Sequence, residues 1–147
     1  MAESSPARLY CLLVGAVLVV AGIIGFFYEA SFATGNSLIS SDVFGILAVN
    51  GWHNILHIAI GALLLVGAGS APRTTALFVG VLYIGLCILG FIATGDGSIG
   101  FIAESNVLFN LVPVNNEDNV LHLILGLTGI LAALATPRLA GRAPATA

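Results

Sequence analysis

The sequence predicts an all-α integral membrane protein: a four-helix bundle built from two parallel repeats of a transmembrane helix hairpin. Three observations carry the prediction. Hydrophobic residues make up 59% of the chain and charged residues 7%, where a soluble domain holds roughly 45–50% and 25%. Four apolar runs, about 9–27, 50–69, 75–93 and 115–135, each approach the ~20 residues that a helix needs to cross a bilayer. None has the polar face that would let it cover a soluble core. Finally, a pattern of Asn, three variable residues, Asn-[Ile/Val]-Leu-His, a short apolar run and Gly occurs twice. It runs from Asn50 through Asn54 and His57 to Gly61, and again from Asn115 through Asn119 and His122 to Gly126.

The two copies lie 65 positions apart, and the offset extends over most of the chain. Arg8 falls on Arg73 and then Arg138, Gly15 on Gly80, Gly25-Phe26 on Gly90-Phe91, Phe44 on Phe109, and Pro72 on Pro137. One membrane domain, 1–147, is therefore expected to hold a first unit at about 8–72 and a second at about 73–137. Residues 138–147 are expected to form a flexible cytoplasmic tail. Two spans return a chain to its starting side, so the units are parallel and related by an axis along the membrane normal.

The first run, near the N-terminus, exceeds the 7–15 apolar residues of a signal peptide, and it matches the internal third run, so it is read as a span. Glycines 15, 22, 25, 80, 85 and 90 let helices approach closely, as small residues do in membranes. Cys11 and Cys87 should differ in depth by roughly 16 Å at 1.5 Å per residue, too far for the ~7 Å reach of a disulfide. The segments before the second and fourth spans each end in an apolar stretch, 43–49 and 107–114, too short to cross. They are expected at the outer interface or folded back over the bundle, with Pro113 barring a continuous helix into the fourth span. Asn50 and Asn115 are N-cap residues by type, Asp118 suits the positive end of a helix dipole, and Trp52 suits the interfacial aromatic belt.

All four cations, Arg8, Arg73, Arg138 and Arg142, fall on one side of this topology. The positive-inside rule makes that side, with both termini, cytoplasmic. Four scattered arginines form no basic patch, so no nucleic-acid partner is expected. The bilayer is the expected partner, with a membrane-protein partner or a second copy as further candidates.

Chemistry is confined to one cluster. His57 and His122 stand seven residues into their helices, about 10 Å at 1.5 Å per residue. One turn earlier on the same face are His53 and Asp118. Three readings follow. In the first, the histidines with Asn50, Asn54, Asn115 and Asn119 form a structural polar cluster that fixes helix packing. In the second, His57 and His122 supply the axial nitrogens of a b-type haem, with Gly61 and Gly126 clearing space beside the ring. In the third, His53, His57, Asp118 and His122 bind zinc or non-haem iron. The cytoplasmic halves of the spans carry no ionisable group, which argues against a coupled transporter or proton pump.

The motif Phe-x-x-x-x-Val-Asn-x-x-x-Asn-[Ile/Val]-Leu-His-x-x-x-Gly resembles that of a bacterial family of small four-span membrane proteins catalogued as a domain of unknown function. The resemblance covers about 7–138, with Val49, Asn50, Asn54, His57 and Gly61 carrying the signature. The second unit departs at its centre, with Glu117-Asp118 where the first has Trp52-His53. The resemblance implies a four-span fold in the bacterial plasma membrane and brings no activity. The leading expectation is a non-enzymatic structural or accessory membrane protein; the alternative is a haem- or metal-binding redox protein.

Overall fold

The computed structural model describes residues 5–95 and 97–137. Arg138, Arg142 and the expected tail at 138–147 lie outside the described residues, as do Asp96 and residues 1–4. The fold is the predicted all-α four-helix bundle. Its helices are α1 (Pro6–Gly25), α2 (Gly51–Ser70), α3 (Pro72–Thr94) and α4 (Asn116–Ala135). Each is long and apolar enough to cross a membrane, and only 33–39% of each apolar window is buried within the protein. The remaining surface is hydrocarbon, as at Leu13, Val17, Val66, Phe78, Leu131 and Leu134. So large an apolar exterior is stable only against lipid.

Helix starts follow from local chemistry. Pro6 and Pro72 sit in the first turns of α1 and α3, where a missing N–H is harmless. Only Ala71 separates α2 from α3, so α3 begins three residues before the apolar run does. The Ser5 hydroxyl accepts the Arg8 N–H at 3.2 Å to cap α1.

The helices pair as α1 with α2 and α3 with α4, through glycines that let one backbone lie on another. A Cβ on Gly61 would meet the Gly15 carbonyl at 2.7 Å, and a Cβ on Gly80 would meet the Gly126 carbonyl at 2.9 Å. Gly61 and Gly126 thus sit in helix contacts. Gly85 differs from the other span glycines named above, with open space where its Cβ would be. Both cysteines are buried and free.

The end that holds the α2–α3 turn also holds the start of α1 and the end of α4. There the Ala7 N–H donates to Thr136 Oγ1 at 2.9 Å and Arg73 Nε donates to the Thr136 carbonyl at 3.3 Å. Midway, the Tyr10 hydroxyl donates to the Leu125 carbonyl at 2.9 Å, tying α1 to α4. Around it lies a core of Leu18, Leu64, Val79 and Tyr83.

The opposite end is roofed by short antiparallel strands. The first loop forms β1 (Ser41–Val43) and β2 (Leu47–Val49); the second forms β3 (Ala103–Glu104), β4 (Val107–Leu108) and β5 (Val112–Pro113). The apolar stretches of the loops therefore fold back on the bundle as hairpins, burying Val49 and Val114. Phe44-Gly45 and Phe109-Asn110 make the turns with positive φ at every position. Gly and Asn tolerate that region. A bulky Phe does not do so readily, and it is held there by the hairpins on either side.

Candidate functional site

The polar residues gather where the roof meets α2 and α4. Asn50 and Asn115 cap these helices through their Oδ1 atoms, accepting the N–H of His53 at 2.9 Å and of Asp118 at 2.8 Å. Their Nδ2 atoms reach across. Asn50 donates to the Leu111 carbonyl at 2.7 Å, and Asn115 donates to the Ile46 carbonyl at 2.6 Å. Each cap thus holds the hairpin turn of the other loop, and 46 and 111 are themselves 65 positions apart. Replacing both Asn50 and Asn115 with Ala removes two caps, each worth about 0.5–2 kcal/mol, and both cross-ties. The expected result in mild detergent is a lower thermal midpoint and faster proteolysis at the roof. Unchanged protection there would mean that the ties hold nothing.

Asn54 and Asn119 serve a second tier. Asn54 Nδ2 donates to the Glu29 carbonyl at 2.8 Å, and Asn119 Nδ2 donates to Thr94 Oγ1 at 3.2 Å. Their Oδ1 atoms have no N–H or O–H partner. Each lies where a Cβ would stand on Gly25 or Gly90, so each faces a glycine Cα, a geometry suited to a weak C–H···O contact.

Asp118 is buried, and its carboxylate is turned to backbone. Oδ2 accepts the N–H of Asn115 at 3.0 Å, completing a capping box, and the N–H of Ala48 at 3.1 Å. The residue 65 positions before Asp118 is His53, and the residue 65 positions after Ala48 is Pro113. Proline has no N–H to donate, so position 53 needs no carboxylate. This accounts for the His–Asp difference between the two stretches without any ligand. The sequence motif did not disclose it, because the pairing of 48 with 118 exists only once the roof is folded; Pro113 was the available signal.

His53 and His57 form a pair, with Nε2 atoms 3.1 Å apart and rings edge to face at 4.4 Å. The His122 ring lies 5.2 Å from that of Tyr83, tilted by 38°. All four residues are buried; among the described residues His122 Nδ1 and the Tyr83 hydroxyl have no hydrogen-bond partner, while the Ala48 and Pro113 carbonyls stand beside the His53 ring. Buried polar atoms are nearly always satisfied, so these two, on residues whose rings lie together, need a reason. The sequence did not place Tyr83 in the cluster, since one tyrosine in an apolar run matches a core residue.

The three histidines and Tyr83 line one cavity of about 340 Å³ between α2, α3, α4 and the second loop. Its other walls are aliphatic, with Leu86 and Val112 among them, and half-exposed Leu56 and Phe109 border it. Asp118 is not in its lining. The structure therefore brings together His53, His57 and His122 and directs Asp118 elsewhere. Among the described residues, no group of three or more His, Cys, Asp or Glu side chains is placed to hold a metal ion. A second, more open hollow of about 470 Å³ lies between the first hairpin and α4, lined by Phe44, Ile46, Leu121 and Ile124 among others.

Neither a curated protein nor a solved structure matches the chain. A family model does, over residues 8–135, which include the whole roof and all four helices except the first two residues of α1. The chain belongs to the family described as Domain of unknown function (DUF4383).

Proposed function

We propose that this membrane protein is a non-enzymatic accessory component of the bacterial plasma membrane, and that it holds a small lipophilic molecule in the cavity of His53, His57 and His122. The observation that carries this reading is the Tyr83 hydroxyl and the His122 Nδ1 atom, unpartnered among the described residues, on side chains lining that apolar cavity. Ligand sites are typically apolar hollows of about 300–1,000 Å³ with a few polar groups. The caps, the cross-ties and Asp118 act as scaffold around it. The chain is read as two copies of one hairpin unit, about 8–72 and 73–137, within a single membrane domain. Arg8 and Arg73 set the end with both termini on the cytoplasmic side, which puts the roof and cavity on the outer side.

The test is mass spectrometry of small molecules and metals carried by protein purified in mild detergent. The expected result is one lipophilic compound near one per chain, lost in Ile60→Phe, which fills the cavity. Wild type and Ile60→Phe carrying the same compounds would overturn the reading. The placement of His57 and His122 on one cavity from two helices favours a second reading, a haem- or metal-binding redox protein. Near-stoichiometric iron with a Soret band in the same sample would establish it in place of the first.

A further inference from the structure

The chemistry of the cavity narrows the class of molecule it accepts; this inference rests on reading the cavity as a ligand site. Among the described residues, no Arg, Lys, Asp or Glu lines it. A phosphate headgroup would therefore lack a cation, and an ammonium head would lack a carboxylate. In so apolar a place a charged head would lose its hydration with nothing in return. The head must be neutral.

It must also hydrogen-bond. Tyr83 is only 1% exposed and its hydroxyl has no partner among the described residues, so it is able to donate to a carbonyl oxygen or accept from a hydroxyl. His122 Nδ1, also without a partner among the described residues, donates or accepts according to the tautomer of its neutral ring. The Nε2 atoms of His53 and His57 are 3.1 Å apart, and the Ala48 and Pro113 carbonyls stand beside the His53 ring, so that pair is satisfied without adding charge.

The shape of the head follows from the rings. The tilted Tyr83–His122 pair gives the cavity an aromatic wall, which suits a flat ring. Its border is apolar: Leu56 on α2 is 44% exposed and Phe109 in the second loop is 42% exposed. Both would meet lipid, so an apolar tail can leave there into the bilayer.

We infer that the cavity takes a lipid-soluble molecule with a flat, uncharged, oxygen-bearing ring and an apolar tail, of the isoprenoid quinone or quinol class. The ring sits among His53, His57, Tyr83 and His122, and the tail passes Leu56 and Phe109. A carbonyl oxygen takes a hydrogen from Tyr83 or from His122 Nδ1–H, and a quinol hydroxyl gives one to His122 Nδ1 in its other tautomer.

Trp52 supplies the assay. It is the only tryptophan in the chain, and it packs beside the cluster of Leu108 and Val112, which also line the cavity. The full chain in detergent is titrated with decylubiquinone, a short-tailed benzoquinone, and Trp52 fluorescence is followed. The expected result is saturable quenching at one quinone per chain. Leu86→Phe, which fills the cavity, should weaken it at least tenfold, and phosphatidylcholine should produce none. His122→Leu should also weaken it, at an unchanged emission maximum; Ile60→Phe replaces Leu86→Phe if that variant does not fold. Linear quenching of equal slope in wild type and filled variants is partition into the micelle, and it overturns the quinone assignment. If the purified protein still carries another cavity-dependent compound, only the ligand class fails; if it carries none, the binding reading fails with it.

Discussion

Replacing Asp118 with Leu is expected to destabilise the bundle by about 3 kcal/mol. The Ala48 N–H that it accepts at 3.1 Å is buried, and a buried donor without a partner costs roughly 1–3 kcal/mol. Losing the carboxylate side of the capping box adds a share of the 0.5–2 kcal/mol that a cap is worth. The informative measurement is a double-mutant cycle with Ala48→Pro, followed by thermal unfolding in detergent. Proline removes the donor, and Pro113 occupies the position 65 residues later in the other roof. Ala48→Pro should therefore recover a large part of the loss caused by Asp118→Leu, although it is destabilising alone. If Asp118→Leu unfolds within about 0.5 kcal/mol of wild type, the range of ordinary surface changes, the carboxylate does not hold the roof.

A second large effect is expected at the helix contacts. In Gly61→Ala the new Cβ meets the Gly15 carbonyl at 2.7 Å and the Val19 nitrogen at 2.9 Å. In Gly80→Ala it meets the Ile130 nitrogen at 2.8 Å and the Gly126 carbonyl at 2.9 Å. These are backbone atoms of the facing helix, so relief requires the helices to separate. Overpacking of this kind costs typically 1–3 kcal/mol, and each variant should fall in the upper half of that range. Gly85→Ala is the control, since nothing stands near its Cβ. It should be neutral or gain up to about 1 kcal/mol from helix propensity. Equal losses at all three positions would show that close approach at Gly61 and Gly80 is not what the substitutions disturb.

Much of this was legible in the sequence because the signals are local. Twenty apolar residues in a row specify a membrane helix whatever surrounds them. Asn50 and Asn115 cap their helices through a side chain and an N–H three residues away. The strands of the roof were not legible. Pieces of two or three residues are too short for a periodic pattern, and they are held by left-handed turns at Phe44 and Phe109 that Phe does not advertise.

The site divides the same way. That His57 and His122 share one region was evident from motif, spacing and the polarity of everything else. The partners were not. Asp118 stood in the sequence as a fourth ligand of the right type, and the roof turned its carboxylate to Ala48. Tyr83 was one more residue in an apolar run, and packing of α3 against α4 set it beside His122. The sequence by itself determined the number of spans, the Asn caps of α2 and α4 and the confinement of polar groups to one cluster, because burial in lipid and capping act through neighbours in the chain. The tertiary structure alone decided which polar atoms are satisfied, since a hydrogen bond such as Ala48 to Asp118 joins residues 70 positions apart, and only the folded roof brings them within reach.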